Sequence, residues 1–204
     1  MIAKTGRRRL NAGCGRNVLP GWINLDAQNL PGVDVVANLD NCAAVPLPLE
    51  EDSIDEILLS HVIEHIRNPL PMMQELYRVA RAGAKAVIRV PYGSNDDAWE
   101  DQTHVRPYFL QSFNYFSQPY YWRADYGYRG DWQPVEIVLT MDGRRYGDLP
   151  WGTLIEKVNT LRNVVSEMVC TVEAVKPNRS PRKELQQRPP LRIEFFNLPL
   201  QFLD

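Results

Sequence analysis

The sequence predicts an α/β protein built on one open β-sheet. Short apolar or alternating runs recur along the chain, two longer segments repeat apolar residues at helical spacing, and the two kinds of segment interleave. The chain has 204 residues, of which 44% are hydrophobic, so it is long enough for one well-buried domain and too short for two full ones. We therefore expect a single domain over residues 1–204.

The apolar runs predict seven strands, with bounds at residues 9–12, 22–25, 33–39, 54–60, 84–90, 135–141 and 168–175. Between the fourth and fifth runs, the spacing predicts a helix over 70–81, with Gly83 as its stop signal. A second helix is predicted over 152–164, where Leu154, Ile155, Val158 and Leu161 repeat at helical spacing.

The first two connections are too short for ordinary crossover helices. A connection between parallel strands usually takes about a dozen residues or more, yet Gly15 to Trp22 and Asp26 to Val33 each supply only a handful. One flank of the sheet is therefore expected to lack its usual cover. Two covers remain open: the apolar C-terminal segment from Ile193 to Leu200, or a second copy of the chain in a homodimer.

Residues 92–133, here called the aromatic insertion, hold most of the aromatic residues of the chain. The insertion follows the fifth predicted strand and so emerges at the carboxyl edge of the sheet, where ligands of open α/β folds bind. This position predicts a lid or substrate-binding insertion. The alternative is that its rings form a small core supporting a long loop. Residues 178–204 are expected to form an extended C-terminal tail.

The segment from Leu10 to Gly15, followed by Gly21 to Asp26, predicts the binding site. It has the pattern of a strand, a glycine turn and a second strand that ends in a carboxylate. Glycines at such a turn let a ligand approach bare backbone, because no Cβ blocks it and positive φ costs little. A carboxylate at the tip of the second strand accepts hydrogen bonds from ribose hydroxyls in dinucleotide sites. The pattern predicts a nucleoside cofactor.

Missing residues narrow the choice of cofactor. A dinucleotide fingerprint requires a small residue where Val18 stands, and a phosphate loop requires Lys followed by Ser or Thr where Arg16 and Asn17 stand. A nicotinamide oxidoreductase is therefore disfavoured. The remaining common user of such a turn is S-adenosylmethionine, whose amino acid end and ribose need close backbone and a carboxylate.

Composition excludes several further classes. A net charge of −2 and a pI near 6.0 argue against a protein that binds nucleic acid by counterion release. Cys14, Cys42 and Cys170 lack metal-ligand spacing, as do the histidines, so no metal site is expected and a reduced, cytoplasmic location is predicted. No apolar run is long enough to span a bilayer, so no membrane association is expected.

With these motifs the chain resembles the class I S-adenosylmethionine-dependent methyltransferases, in particular the small type 11-like bacterial group with a shortened first half. The resemblance covers residues from about Leu10 to Phe116. Its motifs are Leu10 to Gly15, Gly21 to Asp26, Pro46 to Leu49 with Ser53 to Ile57, Ser60 to His65, and Asp101 to Arg106. The family pattern usually has an acid where Asn11 stands and a glycine where Asn17 stands.

The resemblance implies a seven-stranded Rossmann-like sheet and a cofactor site. Gly13 and Gly15 would pass under S-adenosylmethionine, and Asp26 would hold its ribose hydroxyls. Asp40, at the end of the predicted third strand, would lie near the adenine amino group, and Ser60 and His61 would face the methyl group. The implied cofactor-binding residues are Asn11, Gly13, Cys14, Gly15, Asp26, Asp40 and Ser60.

Transfer to a hydroxyl also requires a group that removes its proton, and histidine does so at neutral pH. His104 is the first candidate, because it lies in the polar segment from Asp101 to His104, and His61 is the second. The alternative for His104 is a structural role that ties the insertion down. His65, next to Glu64, is expected to be structural or capping at least as readily as catalytic.

The leading hypothesis is methyl transfer to a small-molecule or saccharide acceptor, on oxygen. The Pro-Pro-aromatic motif of enzymes that methylate nucleic acid bases is absent, since Ser60 to Ile63 stands in its place. The alternative hypothesis is a non-catalytic binding or interaction protein that retains the methyltransferase fold.

Overall fold

The structure is a computed structural model that describes residues 6–196. It consists of one mixed β-sheet, four α-helices and short 3-10 turns. The strands are β1 Arg9–Ala12, β2 Ile23–Asp26, β3 Val35–Val36, β4 Ile54–Ser60, β5 Ala80–Pro91, β6 Trp132–Asp142, β7 Glu167–Ala174 and β8 Leu191–Phe196. The helices are α1 Pro69–Val79, α2 Asp97–Glu100, α3 Gly143–Tyr146 and α4 Trp151–Thr160, and the 3-10 turns are Leu39–Asn41, Ile63–His65, Ser112–Phe116, Gln118–Tyr121 and Lys183–Leu185.

The eight strands lie in the order β3-β2-β1-β4-β5-β7-β6-β8. Strands β1 to β5 run parallel to one another, whereas β7 is antiparallel to both β5 and β6. The predicted α/β class is confirmed. The sheet has one strand more than predicted, because the C-terminal segment forms β8 and pairs in parallel with β6.

Several element bounds differ from the prediction, and the helix predicted over 152–164 is α4, Trp151–Thr160. The third strand shrinks to Val35–Val36, and Asp40 lies in the 3-10 turn that follows rather than at a strand end. Helix α1 ends at Val79, because Ala80 already pairs with Ile54 of β4. Gly83 is therefore not the helix stop: it lies inside β5 with a φ of 76°.

The first two connections are helix-free, as predicted, and a buried amide network replaces the missing helices. The Asn24 side chain accepts from the Leu19 N–H at 2.8 Å and donates to the Leu19 and Trp22 carbonyls at 3.1 and 3.2 Å. It also accepts from Nδ2 of Asn11 at 3.0 Å and donates to Asp34 at 3.2 Å. Buried backbone polar groups need partners; the Asn24 side chain supplies them for the first loop and binds the Asp34 carboxylate of the second.

One face of the sheet is open to solvent, and it is not an apolar surface. Its central row joins Glu56 of β4, Lys85 of β5 and Glu173 of β7, which are direct cross-strand neighbours of alternating charge. Opposite charges at such positions stabilise a sheet. Arg89 and Glu167 add an ion pair at 2.7 Å. The charges make an uncovered face compatible with water.

The C-terminal segment does not cover this flank. Residues 191–196 extend the opposite edge of the sheet, beyond β6, whereas the uncovered crossovers lie beside β1 and β2. The rest of that apolar segment, residues 197–200, lies outside the described residues, as do residues 201–204 and 1–5.

The other face carries the hydrophobic core, and the aromatic insertion is part of it. Buried rings from the insertion join the cluster formed by the strands and by α1; they are Tyr108, Phe113, Phe116, Tyr121, Tyr128 and Trp132. The Trp132 indole N–H donates to the Met73 carbonyl of α1 at 2.8 Å. Other rings of the insertion are exposed, among them Trp99, Phe109, Tyr115, Trp122 and Tyr126. The inner rings replace part of the usual helical cover.

A buried ion pair joins the insertion to the segment after β7. Asp131 is fully buried, and the Arg179 guanidinium donates to both of its carboxylate oxygens, at 2.7 and 2.8 Å. The same guanidinium donates to Gln133 and to the Ser117 hydroxyl, at 2.6 and 2.9 Å. The part of the predicted tail that begins at residue 178 is therefore anchored by a hydrogen-bonded charge pair.

Replacing Arg179 by Leu should destabilise the protein strongly, because Asp131 would remain buried without its charge partner. Removing one partner of a buried pair costs about 3–5 kcal/mol, and we expect a loss of that size in the free energy of unfolding from urea titration. Arg129→Leu is the matched control, because its ion pair with Asp125 is exposed and such pairs contribute about 1 kcal/mol or less. Equal losses in the two variants would contradict the role of the buried pair.

Replacing Asn24 by Ala should unfold the protein at lower denaturant concentration. The change leaves the buried polar groups of both short loops without their shared partner, and each such group costs about 1–3 kcal/mol. Asn41→Ala, an exposed asparagine in a 3-10 turn, should change the free energy of unfolding by less than about 0.5 kcal/mol. If the Asn24 variant lost no more than this control, the amide network would not support the loops.

Candidate functional site

The candidate site lies at the carboxyl edge of the parallel strands. The turn after β1, the end of β2 and the end of β4 meet at this edge, since the three strands are parallel neighbours. They bring together Gly13 to Gly15, Asp26, and Ser60 with His61. Ligands of open α/β sheets bind at this edge, where the strand order reverses.

The glycine turn is held tightly against β2. The Gly13 and Cys14 N–H groups both donate to the Leu25 carbonyl, at 2.7 and 2.9 Å. Gly13 has a φ of 74°, and a Cβ there would lie 2.6 Å from a methyl carbon of Val62, so this glycine is required by packing. Gly15 also has a positive φ, of 51°, but no described atom lies within 4 Å of the position its Cβ would occupy.

Asp26 connects the turn to the end of β2. Its Oδ2 accepts a hydrogen bond from the Gly15 N–H at 2.8 Å, and its Oδ1 accepts from the Gln28 N–H at 2.9 Å. Each carboxylate oxygen has two acceptor positions, so each can still accept from a hydroxyl. Bare backbone at Gly15 beside a half-occupied carboxylate at Asp26 fits the ribose and amino acid portions of S-adenosylmethionine.

Three other predicted cofactor residues have structural contacts. Asn11 is buried, and its Nδ2 donates to the Asn17 carbonyl at 2.8 Å in addition to Asn24. The Cys14 thiol is buried, and burial followed by the negative charge of Asp26 raises its pKa. Oδ1 of Asp40 accepts from the Arg67 and Asn68 N–H groups, at 2.9 and 3.1 Å. Asn11 and Asp40 thus hold loops that border the site.

His61 follows β4 directly and has a φ of 54°, an unusual value for a non-glycine residue and one often found at functional sites. Its Nε2 lies 3.0 Å from Oε1 of Glu167, and its Nδ1 lies 3.3 Å from Oε1 of Glu64. These two carboxylates, Glu167 first, raise the pKa of His61 to about 9. The imidazole is therefore a cation at neutral pH.

Glu167 remains ionised beside this cation. Burial acts to raise the pKa of Glu167, but the hydrogen bonds from His61 and Arg89 outweigh burial and lower it. The Arg89 guanidinium donates to Oε2 of Glu167 at 2.7 Å. The edge of the sheet next to Ser60 therefore carries fixed charges of both signs.

His104 meets His65 where the aromatic insertion crosses the end of β4. Their ring centroids are 4.7 Å apart, and the Val105 N–H donates to the Glu64 carbonyl at 2.8 Å. The His104 side chain is 9% exposed, and its Nε2 lies 3.8 Å from Oδ2 of Asp101. The insertion thus brings its predicted histidine against the short turn after β4.

The structure also groups residues that the sequence did not single out together. One ligand atom each from Glu64, His65 and His104 lies within 4.8 Å of those of the others. No spacing rule signals this group, because Glu64 and His65 are adjacent whereas His104 comes from the insertion. The sequence holds one indirect indication: the motifs Ser60 to His65 and Asp101 to Arg106, which contain these residues, both belong to the family resemblance.

One cavity lies beside the insertion and not over the glycine turn. It has a volume of about 830 Å³, and Tyr92, Trp99, Phe109 and Leu161 are among its lining residues. Its position beyond the ends of β5 and α4 suits an acceptor better than the cofactor, because the candidate cofactor residues follow β1, β2 and β4. The site therefore has two parts.

This sheet order, with a glycine turn after β1 and an acidic residue ending β2, agrees with the Rossmann-like fold of class I S-adenosylmethionine-dependent methyltransferases, apart from the added strand β8. Residues 10–88 match a family model described as a methyltransferase domain. This match, over less than half of the chain, and the fold agree in supporting an S-adenosylmethionine-dependent methyltransferase with S-adenosylmethionine as its cofactor. The predicted family, enzyme class and cofactor are confirmed.

Solved structures with this fold include several methyltransferases. An S-adenosylmethionine-dependent methyltransferase from Archaeoglobus fulgidus is 17% identical, with a TM-score of 0.58 over 83% of this chain and 87% of that one. A possible histamine N-methyltransferase from Thermotoga maritima is 13% identical, with a TM-score of 0.52 over 84% and 83%. The cyclase SpnF is 11% identical, with a TM-score of 0.50 over 83% and 75%.

A search of curated protein sequences finds no significant match. Among the described residues, no helix is long and apolar enough to cross a membrane.

Proposed function

We propose that this methyltransferase transfers a methyl group to an oxygen of a small-molecule or saccharide acceptor. The observation that carries the proposal is the 830 Å³ cavity next to the insertion, where the exposed rings of Trp99 and Phe109 offer flat apolar surfaces. Such surfaces suit sugars and planar molecules. The net charge of −2 argues against a nucleic acid acceptor.

On the cofactor side, we propose that Gly13, Cys14 and Gly15 lie under the cofactor and that Asp26 accepts from its ribose hydroxyls. Asn11 would act by holding the turn. Oδ2 of Asp40 would face the adenine amino group, since Oδ1 already accepts from two backbone N–H groups. Ser60 would border the methyl group. S-adenosylmethionine supplies an activated methyl group when bound, so the protein has to bind, align the acceptor and receive its proton.

Of the two proposed catalytic histidines, His104 suits the role of proton acceptor better than His61. Both ring nitrogens of His61 face carboxylates, at 3.0 and 3.3 Å. By contrast, Nδ1 of His104 is buried and has no hydrogen-bond partner within residues 6–196. A role for His61 that fits its charge is to attract an anionic group of the cofactor or acceptor.

The alternative function is a non-catalytic binding protein that retains the fold. The amide at Asn11 favours it, because the family pattern has an acid there. The cyclase SpnF, which is named for a different reaction, illustrates that one fold serves several chemistries. Retained methyl transfer separates the two functions.

We further propose a homodimer through the open sheet face and a cytoplasmic location. The alternation of Glu56, Lys85 and Glu173 supports the dimer, because a twofold copy could set opposite charges against each other. Three reduced cysteines support the location.

Asp26→Ala should weaken binding of S-adenosylmethionine and S-adenosylhomocysteine at least tenfold in calorimetric titration. The loss follows because hydrogen bonds to a charged group contribute about 1.5–3 kcal/mol, and about 1.4 kcal/mol is tenfold in Kd. Asp97→Ala is the matched control, an exposed carboxylate at the start of α2. Its affinity for both ligands should equal that of the native protein.

NAD should not bind to the native protein in the same titration. Circular dichroism melting must show that the Asp26 variant is folded, because Asp26 also holds the glycine turn. A folded native protein that bound neither adenosyl ligand would remove the enzymatic proposal and favour the binding-protein alternative.

Methyl transfer should be detected with hydroxylated small molecules or saccharides when S-adenosylmethionine carries a labelled methyl group. We expect label in a phenolic, hydroxy acid or sugar fraction and none in RNA or DNA. Trp99→Ala should raise the KM for the acceptor and leave the Kd for S-adenosylhomocysteine unchanged, because its ring lines the cavity only. Label confined to amines or nucleic acid would contradict the proposed acceptor class.

A further inference from the structure

We propose that Glu64, His65 and His104 form a binding site for a divalent transition-metal ion. One ligand atom from each residue lies within 4.8 Å of the other two. Two imidazoles and one carboxylate are ligands that suit zinc, iron(II), manganese and cobalt, and three protein ligands leave a coordination position open for another molecule. The site combines the turn after β4 with the aromatic insertion.

The first independent observation is the state of Glu64. Its side chain is 3% exposed, and neither carboxylate oxygen has a hydrogen-bond partner in the described part of the chain. The nearest cation is His61, whose Nδ1 lies 3.3 Å from Oε1 without hydrogen-bond geometry. Burying a carboxylate is unfavourable unless hydrogen bonds or a cation compensate it. His61 is a neighbouring charge, but a metal ion would bind directly to a carboxylate oxygen that accepts no hydrogen bond in the described part of the chain.

The second observation is that His65 is already oriented as a metal ligand. The Thr103 hydroxyl lies 2.6 Å from Oδ1 of Asp101 and 2.9 Å from Nδ1 of His65. A hydroxyl has one proton, and it donates this proton to the carboxylate, so it accepts from the His65 Nδ1–H. The lone pair of the neutral imidazole is then on Nε2. Metal-binding histidines commonly have such a hydrogen-bonded chain on their other nitrogen.

His104 supplies the third ligand from the other segment. Its side chain is 9% exposed, and Nδ1 is buried without a hydrogen-bond partner among the described residues. Asp101 lies 3.8 Å from Nε2 and favours a proton there, which leaves the lone pair on Nδ1. Asp101 therefore orients both histidines, one through Thr103 and one directly.

The separations suit a site that closes slightly around an ion. Metal–ligand distances of about 2.0–2.2 Å place tetrahedral ligand atoms roughly 3.4 Å apart. The separations of up to 4.8 Å need to shrink by as much as about 1.4 Å. Side-chain rotation is enough for a change of this size, and the backbone hydrogen bond from Val105 to Glu64 already holds the two segments together.

The metal would hold an oxygen of the acceptor, a role that rests on the proposed function. A divalent ion lowers the pKa of a bound hydroxyl, so that the proton of the acceptor passes to solvent water. With the ion bound, the lone pair of His104 belongs to the metal, so the role of His104 as proton acceptor applies to the metal-free protein. Metal binding and cofactor binding are separate properties of the chain and can be measured separately.

Cobalt(II) titration of the chelator-treated full chain, without S-adenosylmethionine, tests the proposal. We expect one equivalent to bind with visible d–d absorption of four- or five-coordinate cobalt and without thiolate charge-transfer bands. Zinc should displace it. On the zinc-loaded native protein, X-ray absorption at the zinc edge should count two imidazole ligands, and this measurement needs no variant to fold.

Glu64→Gln and His104→Ala should abolish the cobalt spectrum, whereas Glu100→Gln, an exposed carboxylate before the same loop, should keep it. His61→Ala should also keep it, because His61 lies beside the site and not within it. Thr103→Val should weaken binding by about 10–100-fold, as expected for a residue that orients a ligand. Near-UV circular dichroism must show that each variant is folded.

No cobalt absorption at millimolar metal, or a spectrum dominated by thiolate ligands, would overturn the proposal. Loss of the spectrum in His61→Ala together with its survival in His104→Ala would overturn the ligand set. The affinity for S-adenosylhomocysteine in the presence of EDTA reports on the proposed function alone. Metal binding without adenosyl binding would therefore refute the methyltransferase proposal and keep the metal site. Adenosyl binding without metal binding would refute the metal site and keep the methyltransferase proposal.

Discussion

The buried amide of Asn24 is the contact on which the first half of the molecule depends. Parallel strands are usually joined through helices that satisfy their own backbone groups, and this chain has no room for two of them. Asn24 and Asn11 satisfy the loops instead, with five hydrogen bonds that include both main-chain groups of Leu19. The glycine turn and Asp26 keep their places because β1 and β2 remain adjacent.

The loss of helices also explains why the two faces of the sheet differ. On the covered face, α1 and rings of the aromatic insertion pack against the sheet. The insertion, predicted from sequence as a lid, is therefore partly hydrophobic core. The Arg179–Asp131 pair then fixes the chain after β7 to the insertion. The open face carries charged cross-strand neighbours instead of a helical cover.

The carboxyl edge combines three electrostatic environments. Asp26 accepts a hydrogen bond from the Gly15 N–H, which holds the glycine turn, and its carboxylate can still accept hydrogen bonds from a ligand. His61 is a cation held between Glu167 and Glu64, which makes it an electrostatic group at neutral pH. Glu64, His65 and His104 form a buried polar group whose partners are incomplete among the described residues. The cavity proposed for the acceptor is lined by other residues, among them Tyr92, Trp99 and Phe109.

The sequence by itself determined the class, the cofactor and the local elements. Strands 9–12 and 54–60 begin and end where their apolar runs do, and the turn from Gly13 to Gly15 has the positive φ angles that glycine permits. Only the tertiary structure decided the pairing of β8, the Arg179–Asp131 pair, and the meeting of His104 with His65. Periodicity and turn chemistry act over neighbouring residues and can be read from one segment. Contacts between distant segments depend on how the whole chain packs, and no single segment encodes them.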